Sequence, residues 1–292
     1  TLAIRLRLTG DVTLPGYGDV VSAGVAASCM SCHNSRNKNP EEYIKTSFRG
    51  THVGPQADML SGTGAFTYGK KLASSSHIVA VEKKCAGCHM AATPAPGQPG
   101  HNLVGGHTFN VKSDNGTPDD PSDDVENVSA CKTCHVNITT TFDFPAREDY
   151  DGDGVIKGVQ TEVKGMMAIL ARALPLEANG NLPTDLTKTT LEQRKANYNY
   201  TLVRQDRSYG VHNLKYAVDV LRTTYKELTG KEMVPKAKDY SNVFFTTLEK
   251  GLNMISLPLE PSTPYTARSM AKELGATIVI KIDAGNQKFV GF

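Results

Sequence analysis

The sequence contains no tryptophan, and aromatic residues make up only 7% of its 292 positions. It also lacks a run of about 18 apolar residues, the length needed to cross a bilayer, so we expect no membrane span. The net charge of +2 is too small to indicate nucleic acid or an anionic membrane as a partner. The chain is thus short of the large side chains on which a protein core is usually built.

No cysteine stands alone in this sequence. All six occur in pairs three residues apart, and a histidine directly follows each pair. A C-x-x-C-H motif is the attachment signal for c-type haem, because two thiols on one turn reach the two vinyl groups of a porphyrin while the histidine projects towards the iron. We therefore predict three covalently bound haems c. The cysteines are Cys29 and Cys32, Cys85 and Cys88, and Cys131 and Cys134, and the proximal iron ligands are His33, His89 and His135.

Three other uses of paired cysteines were weighed. A zinc site takes two pairs and gives the adjacent histidines no role. A redox C-x-x-C belongs in a thioredoxin-like context and usually occurs once. Disulfides would not need the histidines, so three repeats of the full motif favour haem.

The fold class predicted is mainly α, with much irregular loop packed around three covalent haems that supply the missing core. Residues 1–239 are expected to form the haem domain, with the motifs at 29–135 and a helical part at 155–230, where apolar residues recur at helical intervals. Strand-like patterns predict a small β or α+β module at 240–292. The chain begins without Met or a signal peptide and ends on a strand-like segment, so we expect a mature or trimmed chain, truncated after Phe292.

The second axial ligand decides what a haem can do, since one with two protein ligands passes electrons and one with an open face can transform a small molecule. Five histidines remain after the proximal three, so no haem need be left open. Methionine is the usual alternative, and Met59 stays open as a ligand. The five histidines are His52, His77, His101, His107 and His212.

Three segments carry a family resemblance: SSSHIVAVEKKCAGCHM (74–90), GGHTFNV (105–111) and RSYGVHNLKYAVDVL (207–221). They resemble multihaem c-type cytochromes, a group that includes the tetrahaem electron carrier of nitrifying bacteria and the pentahaem nitrite reductases. The resemblance implies that His77, His107 and His212 are distal haem ligands. One departure is Leu214, where the family often has proline.

A fourth segment, GTHVGPQADML (50–60), resembles another recurring stretch of the same group and adds His52 as a distal ligand. Four distal candidates for three haems leave one over. The surplus histidine is either not a ligand or crosses to a haem on a neighbouring copy, as in the extracellular cytochrome filaments that the resemblance also covers.

The stretch DYDGDGVIKGVQ is similar to a calcium-binding EF-hand loop. Asp149, Asp151 and Asp153 stand at its first, third and fifth positions, but the twelfth is Gln160 instead of glutamate. Calcium binding and a solvated turn are both left open here.

The function expected is electron transfer, not enzymatic catalysis, in an exported protein that is periplasmic or extracellular. Partners would be redox proteins or extracellular electron acceptors, with self-association into a conductive filament as one form. The alternative is an oxidoreductase of a small nitrogen or sulfur compound with one open haem. An adhesion or assembly role for residues 240–292 is a third class.

Overall fold

The structure is a computed structural model. It describes residues 8–136, 138, 140–233, 272, 280–283 and 288–291. Most of the strand-like module expected at residues 240–292 lies outside these residues. The chain divides into two compact units, residues 1–235 and 236–292, and each is described by itself.

Helices account for most of the regular structure described in the first unit. They are α1 (Ala27–Met30), α2 (Pro40–Thr46), α3 (Gln56–Ser61), α4 (His77–Ala80), α5 (Cys85–His89), α6 (Val159–Arg172), α7 (Leu191–Asp206) and α8 (Leu214–Thr229). The strands form two antiparallel hairpins, β1 (Asp11–Thr13) with β2 (Val20–Ser22) and β3 (Lys112–Ser113) with β4 (Val125–Glu126). The described part of the second unit is one further antiparallel pair, β5 (Ile280–Asp283) with β6 (Lys288–Gly291).

Helices α6, α7 and α8 pack on one another around the main core. Each of them buries an apolar stripe at helical spacing, with Leu170, Leu202 and Leu221 fully inaccessible to solvent. The segment before α4 is tied to these helices: Thr51 N–H donates to Thr201 Oγ1 at 2.7 Å, and Ala65 N–H donates to the Tyr216 hydroxyl at 3.0 Å. Residues 50–75 are therefore held against α7 and α8 by hydrogen bonds.

Local sequence signals set where α7 and α8 begin. A capping box between Thr190 and Gln193 starts α7, and the side chain of Asn213 accepts from Tyr216 N–H to start α8. Gly230, at φ 71°, ends α8 in the left-handed conformation that favours glycine. Because Asn213 is the cap, the residue before it is fixed at the start of this helix.

The helices of the described residues are all too short or too polar to span a membrane.

Candidate haem sites

The three cysteine motifs form the same backbone turn. The histidine N–H donates to the carbonyl of the first cysteine at 2.8 Å in both the first motif (His33 to Cys29) and the third (His135 to Cys131). The second motif makes up the whole of α5, Cys85–His89, where the helix has the same pattern. This turn brings residues three apart to one face, as attachment to a single porphyrin requires.

All six thiols are free, so the cysteines form no disulfide. Among the described residues, the only cluster of three or more metal-ligating side chains is the aspartate group at 149–153. The cysteines therefore do not converge on a four-ligand centre of the kind that zinc requires.

The second motif lies between the other two. Cys85 packs against the buried cluster that contains Met30, and burial, followed by the nearby thiol of Cys29, raises the pKa of Cys85 to about 11. Burial, followed by the nearby Cys88, likewise raises the pKa of Cys131. The second motif therefore adjoins both the first and the third.

Two pairs of histidine rings lie close together, and each pair contains one C-x-x-C-H histidine. The ring centres of His89 and His212 are 6.3 Å apart, and those of His135 and His77 are 6.0 Å apart. If two imidazoles bind one iron from opposite sides, with bonds of about 2 Å and ring centres about 1.1 Å behind each nitrogen, their centres lie about 6.2 Å apart. Both separations match this distance, and each pair joins one proximal and one distal candidate.

The angle between the ring planes differs between the two pairs. It is 37° for His89 and His212 and 88° for His135 and His77. His135 also has Phe144 beside it, with ring centres 5.9 Å apart. The two sites are thus geometrically distinct.

Hydrogen bonds at Nδ1 leave Nε2 available in three of these four histidines. Nδ1 of His89 lies 2.8 Å from the carbonyl of Phe109, that of His77 lies 3.1 Å from the carbonyl of Val211, and that of His212 lies 2.6 Å from Asp206 Oδ1. Metal-bound histidines usually donate their second ring N–H to such an acceptor, which fixes the ring orientation. Burial also lowers the pKa of His89, which favours the neutral imidazole that binds metal.

One short connection, the turn between α7 and α8, positions both His77 and His212. His212 belongs to it, and His77 is held by its carbonyls at Val211 and His212. The turn contains Arg207 at φ 62° and Tyr209 at φ 47°, left-handed conformations that non-glycine residues rarely adopt. Such backbone strain is typical of segments that hold a functional group in place.

The first motif is tied to the same turn through Gln56. Gln56 Oε1 lies 3.3 Å from Nδ1 of His33, and Gln56 Nε2 donates to the carbonyl of Asp206 at 3.2 Å. Among the described residues, His33 makes no ring contact with another histidine. The structure therefore brings together two pairs of histidine rings, and within the described residues His33 has no such partner.

The other ligand candidates lie apart from these pairs. His52 and His107 are exposed, and His101 is half-buried with Nδ1 2.6 Å from the carbonyl of Pro94. None of the three contacts another histidine ring within the described residues. Met59 is fully buried in the helical core.

Apolar side chains exposed to solvent flank the motifs. Val79, two residues after His77, is 76% exposed, and Val136, directly after His135, is 82% exposed. Val25, Met90 and Phe109, each near a motif or ligand, are exposed as well. Single exposed apolar side chains are common on protein surfaces, and these are available for contact with a bound group such as a porphyrin.

The predicted calcium ligands come together, but a lysine lies among them. Asp149, Asp151 and Asp153 offer oxygens within 4.8 Å of one another. Lys157 Nζ lies 2.7 Å from Asp151 Oδ2 and 2.6 Å from Asp153 Oδ2, and these hydrogen bonds raise the pKa of Lys157. The ammonium group thus neutralises the carboxylates that a cation would bind.

The end of this loop differs from an EF-hand. Gln160, at the twelfth position, donates from Nε2 to the carbonyl of Ser208 at 2.9 Å. The buried Glu162 accepts backbone N–H groups of Tyr150, Asp151 and Lys157, so it fixes the loop backbone. The loop packs closely on α6, since a Cβ at Gly165 would lie 1.9 Å from Asp151 Oδ2.

The residues that hold these histidines in place were not predicted from the sequence. Asp206, Ser208 and Gln56 contact the histidines or hold their partners, yet they carry no motif. A usable signal was the acid six residues before His212, at the end of a predicted helix.

No family model matches the chain, and no curated protein or solved structure is significantly similar to it.

Proposed function

We propose that residues 1–239 form a trihaem c-type cytochrome domain that transfers electrons. The observation that carries this is the separation of the two histidine pairs, 6.3 and 6.0 Å, each joining a C-x-x-C-H histidine to a distant one. Haem supplies the one-electron chemistry, and the chain supplies covalent attachment and axial imidazoles. Imidazole pairs give lower reduction potentials than histidine with methionine, which suits the low-potential end of a respiratory chain.

The order of the motifs supports a relay. Cys85 neighbours Cys29, and Cys88 neighbours Cys131, so the second motif adjoins both of the others. Attached groups would be close enough for electrons to pass from the first to the third position. The residues in this account make or break no bonds in a substrate.

An exported location and extracellular or periplasmic redox partners complete the proposal. Covalent attachment suits such a place, because the haem cannot be lost by dissociation. The position of His52 supports self-association. Its side chain is exposed, and its Nδ1 lies 2.7 Å from the carbonyl of Val53 in the same chain, so Nε2 is free to bind a haem iron of another copy.

A spectroelectrochemical titration of the purified holo-protein tests the main proposal. We expect three one-electron haem reductions and a low-spin spectrum from the two paired sites. A protein with fewer reducible haems, or with the paired sites high-spin, would contradict it.

An oxidoreductase with one open haem is the second candidate function. It is favoured by one observation, that His33 faces no histidine ring among the described residues. Carbon monoxide added to the reduced protein separates the two: an unchanged spectrum favours the carrier, and a new ligand band on one haem favours the enzyme.

The exchange of a histidine between copies needs its own test. His52→Ala should reduce oligomer size by light scattering and turn one haem high-spin, while the matched His101→Ala should do neither. If His52→Ala leaves both readouts unchanged, the exchange does not occur.

A further inference from the structure

Asp206, the last residue of α7, is held in a fixed orientation against His212. Its side chain is fully buried, and Oδ1 lies 2.6 Å from His212 Nδ1. The other oxygen, Oδ2, accepts from the backbone N–H of Ser208 and from its hydroxyl. The Ser208 hydroxyl oxygen in turn accepts from His212 N–H at 3.1 Å, which closes the arrangement.

The other paired histidines have different acceptors. Nδ1 of His77 faces the backbone carbonyls of Val211 and His212 at 3.1 and 3.2 Å, and Nδ1 of His89 faces the carbonyl of Phe109 at 2.8 Å. His135 has no hydrogen bond to its ring among the described residues. Of the four histidines in the two pairs, His212 is therefore the one bonded to a carboxylate.

A carboxylate acts on a metal-bound imidazole differently from a carbonyl. It withdraws the Nδ1 proton more strongly, so the ring becomes a stronger electron donor, and its negative charge favours the ferric over the ferrous state. Burial strengthens the effect, because charges interact over a given distance more strongly away from water. Second-sphere hydrogen bonding of this kind is one of the means by which a protein sets a haem potential.

We propose that Asp206 is a positioning residue that lowers the reduction potential of the middle haem, bound by His89 and His212, below that of the haem bound by His135 and His77. The inference rests on the proposed function. The reduction potentials along the relay would then be unequal, and the haem of the third motif would be reduced before the middle haem. Transfer of an electron from the third haem to the middle haem would therefore be energetically unfavourable.

The unmodified protein offers a first test, because the two pairs have different ring angles. Each imidazole splits two iron d orbitals along its own plane, so perpendicular planes cancel the splitting and give a strongly anisotropic low-spin EPR signal. Planes closer to parallel add their effects and give a rhombic signal. The anisotropic signal therefore reports the 88° pair, and the rhombic signal reports the 37° pair.

In an EPR-monitored redox titration of the holo-protein, we expect the anisotropic ferric signal to disappear first as the potential is lowered. The rhombic signal of the middle haem should persist to lower potential. If the rhombic signal disappears first, the inference is overturned, even though three haems are bound.

Asp206→Asn provides the second test, since asparagine can still accept the Nδ1 hydrogen bond but carries no charge. The middle haem should become easier to reduce by roughly tenfold in its equilibrium constant, which is about 59 mV for a one-electron couple. Asp58→Asn is the matched control: Asp58 is 1% exposed and bonds to Ser35 and not to a histidine. It should leave both paired haems unshifted.

The possible outcomes test the role of Asp206 separately from the proposed function. A shift of the rhombic signal in Asp206→Asn and not in Asp58→Asn supports the inference. Equal shifts in both variants, or none in either, overturn it while leaving electron transfer intact. A preparation without covalent haem overturns the proposed function itself.

Discussion

Residues 159–229 and residues 77–136 are built in different ways. The first segment holds three helices whose apolar stripes interlock, with Leu170, Leu202 and Leu221 fully buried. In the second, Val104 and Val128 are the only buried apolar side chains, and its helices have four and five residues. The helical segment builds a core from its own side chains, whereas the motif segment buries few apolar side chains and leaves others exposed. This contrast agrees with haem serving as core material for residues 77–136.

Preventing haem attachment should cause the largest change in the difference in order between the two segments. In protein made without covalent haem, residues 77–136 should exchange their amide hydrogens as fast as an unfolded chain, because too few apolar contacts remain to order them. Helices α6 to α8 should keep their protection. Hydrogen exchange read by mass spectrometry compares this form with the holo-protein, and equal protection of residues 77–136 in both would argue against the contrast.

Removal of a single distal ligand should act on one site only. His77→Ala should abolish the anisotropic low-spin EPR signal, and His212→Ala the rhombic one, since each leaves an iron with one imidazole. His101→Ala, outside both pairs, is the control and should keep both signals. Loss of the same signal in both ligand variants would show that the pairing is wrong.

Leu170→Ala tests the helical side of the comparison. Truncation of a fully buried leucine should cost about 2–5 kcal/mol of unfolding free energy, because it loses apolar burial and leaves a cavity. Chemical denaturation of the holo-protein measures this. Val155→Ala, at a side chain that is 58% exposed, is the control and should cost much less.

Lys157→Gln should have the smallest effect, in the loop that leads into α6. Without the ammonium group, the carboxylates of Asp151 and Asp153 become free to bind a cation, so calcium should raise the unfolding free energy by about 1–3 kcal/mol. Thermal denaturation with and without calcium measures the gain. An equal gain in the parent protein would show that calcium displaces the lysine unaided.

The two segments also differ in how far the sequence predicted them. The motif turns and the helices of residues 159–229 follow from local spacing, since a C-x-x-C-H turn and a 3.6-residue period need no distant partner. Which distal histidine meets which motif could not be derived, because His212 is separated from His89 by more than 120 positions and their approach depends on how α7 and α8 pack. Gln56 could not be predicted for the same reason, and the only sequence signal for Asp206 was an acid six residues before His212. Their role comes from contacts and not from residue type.

Two of the predicted distal ligands show that a local sequence resemblance does not establish a ligand. His107 and His52 fit family segments as well as His77 does, yet the described structure places both at the surface and apart from the paired rings. A segment can match a ligand motif while its partner lies elsewhere or on another molecule. The assignment of these two histidines therefore stays a prediction.

The mass of the intact, denatured chain tests the central claim most directly. Thioether bonds survive denaturation, so the account predicts a mass greater than that of the polypeptide by three haems. The unmodified polypeptide mass, or a number of haems that does not follow the number of intact C-x-x-C-H motifs, would contradict it.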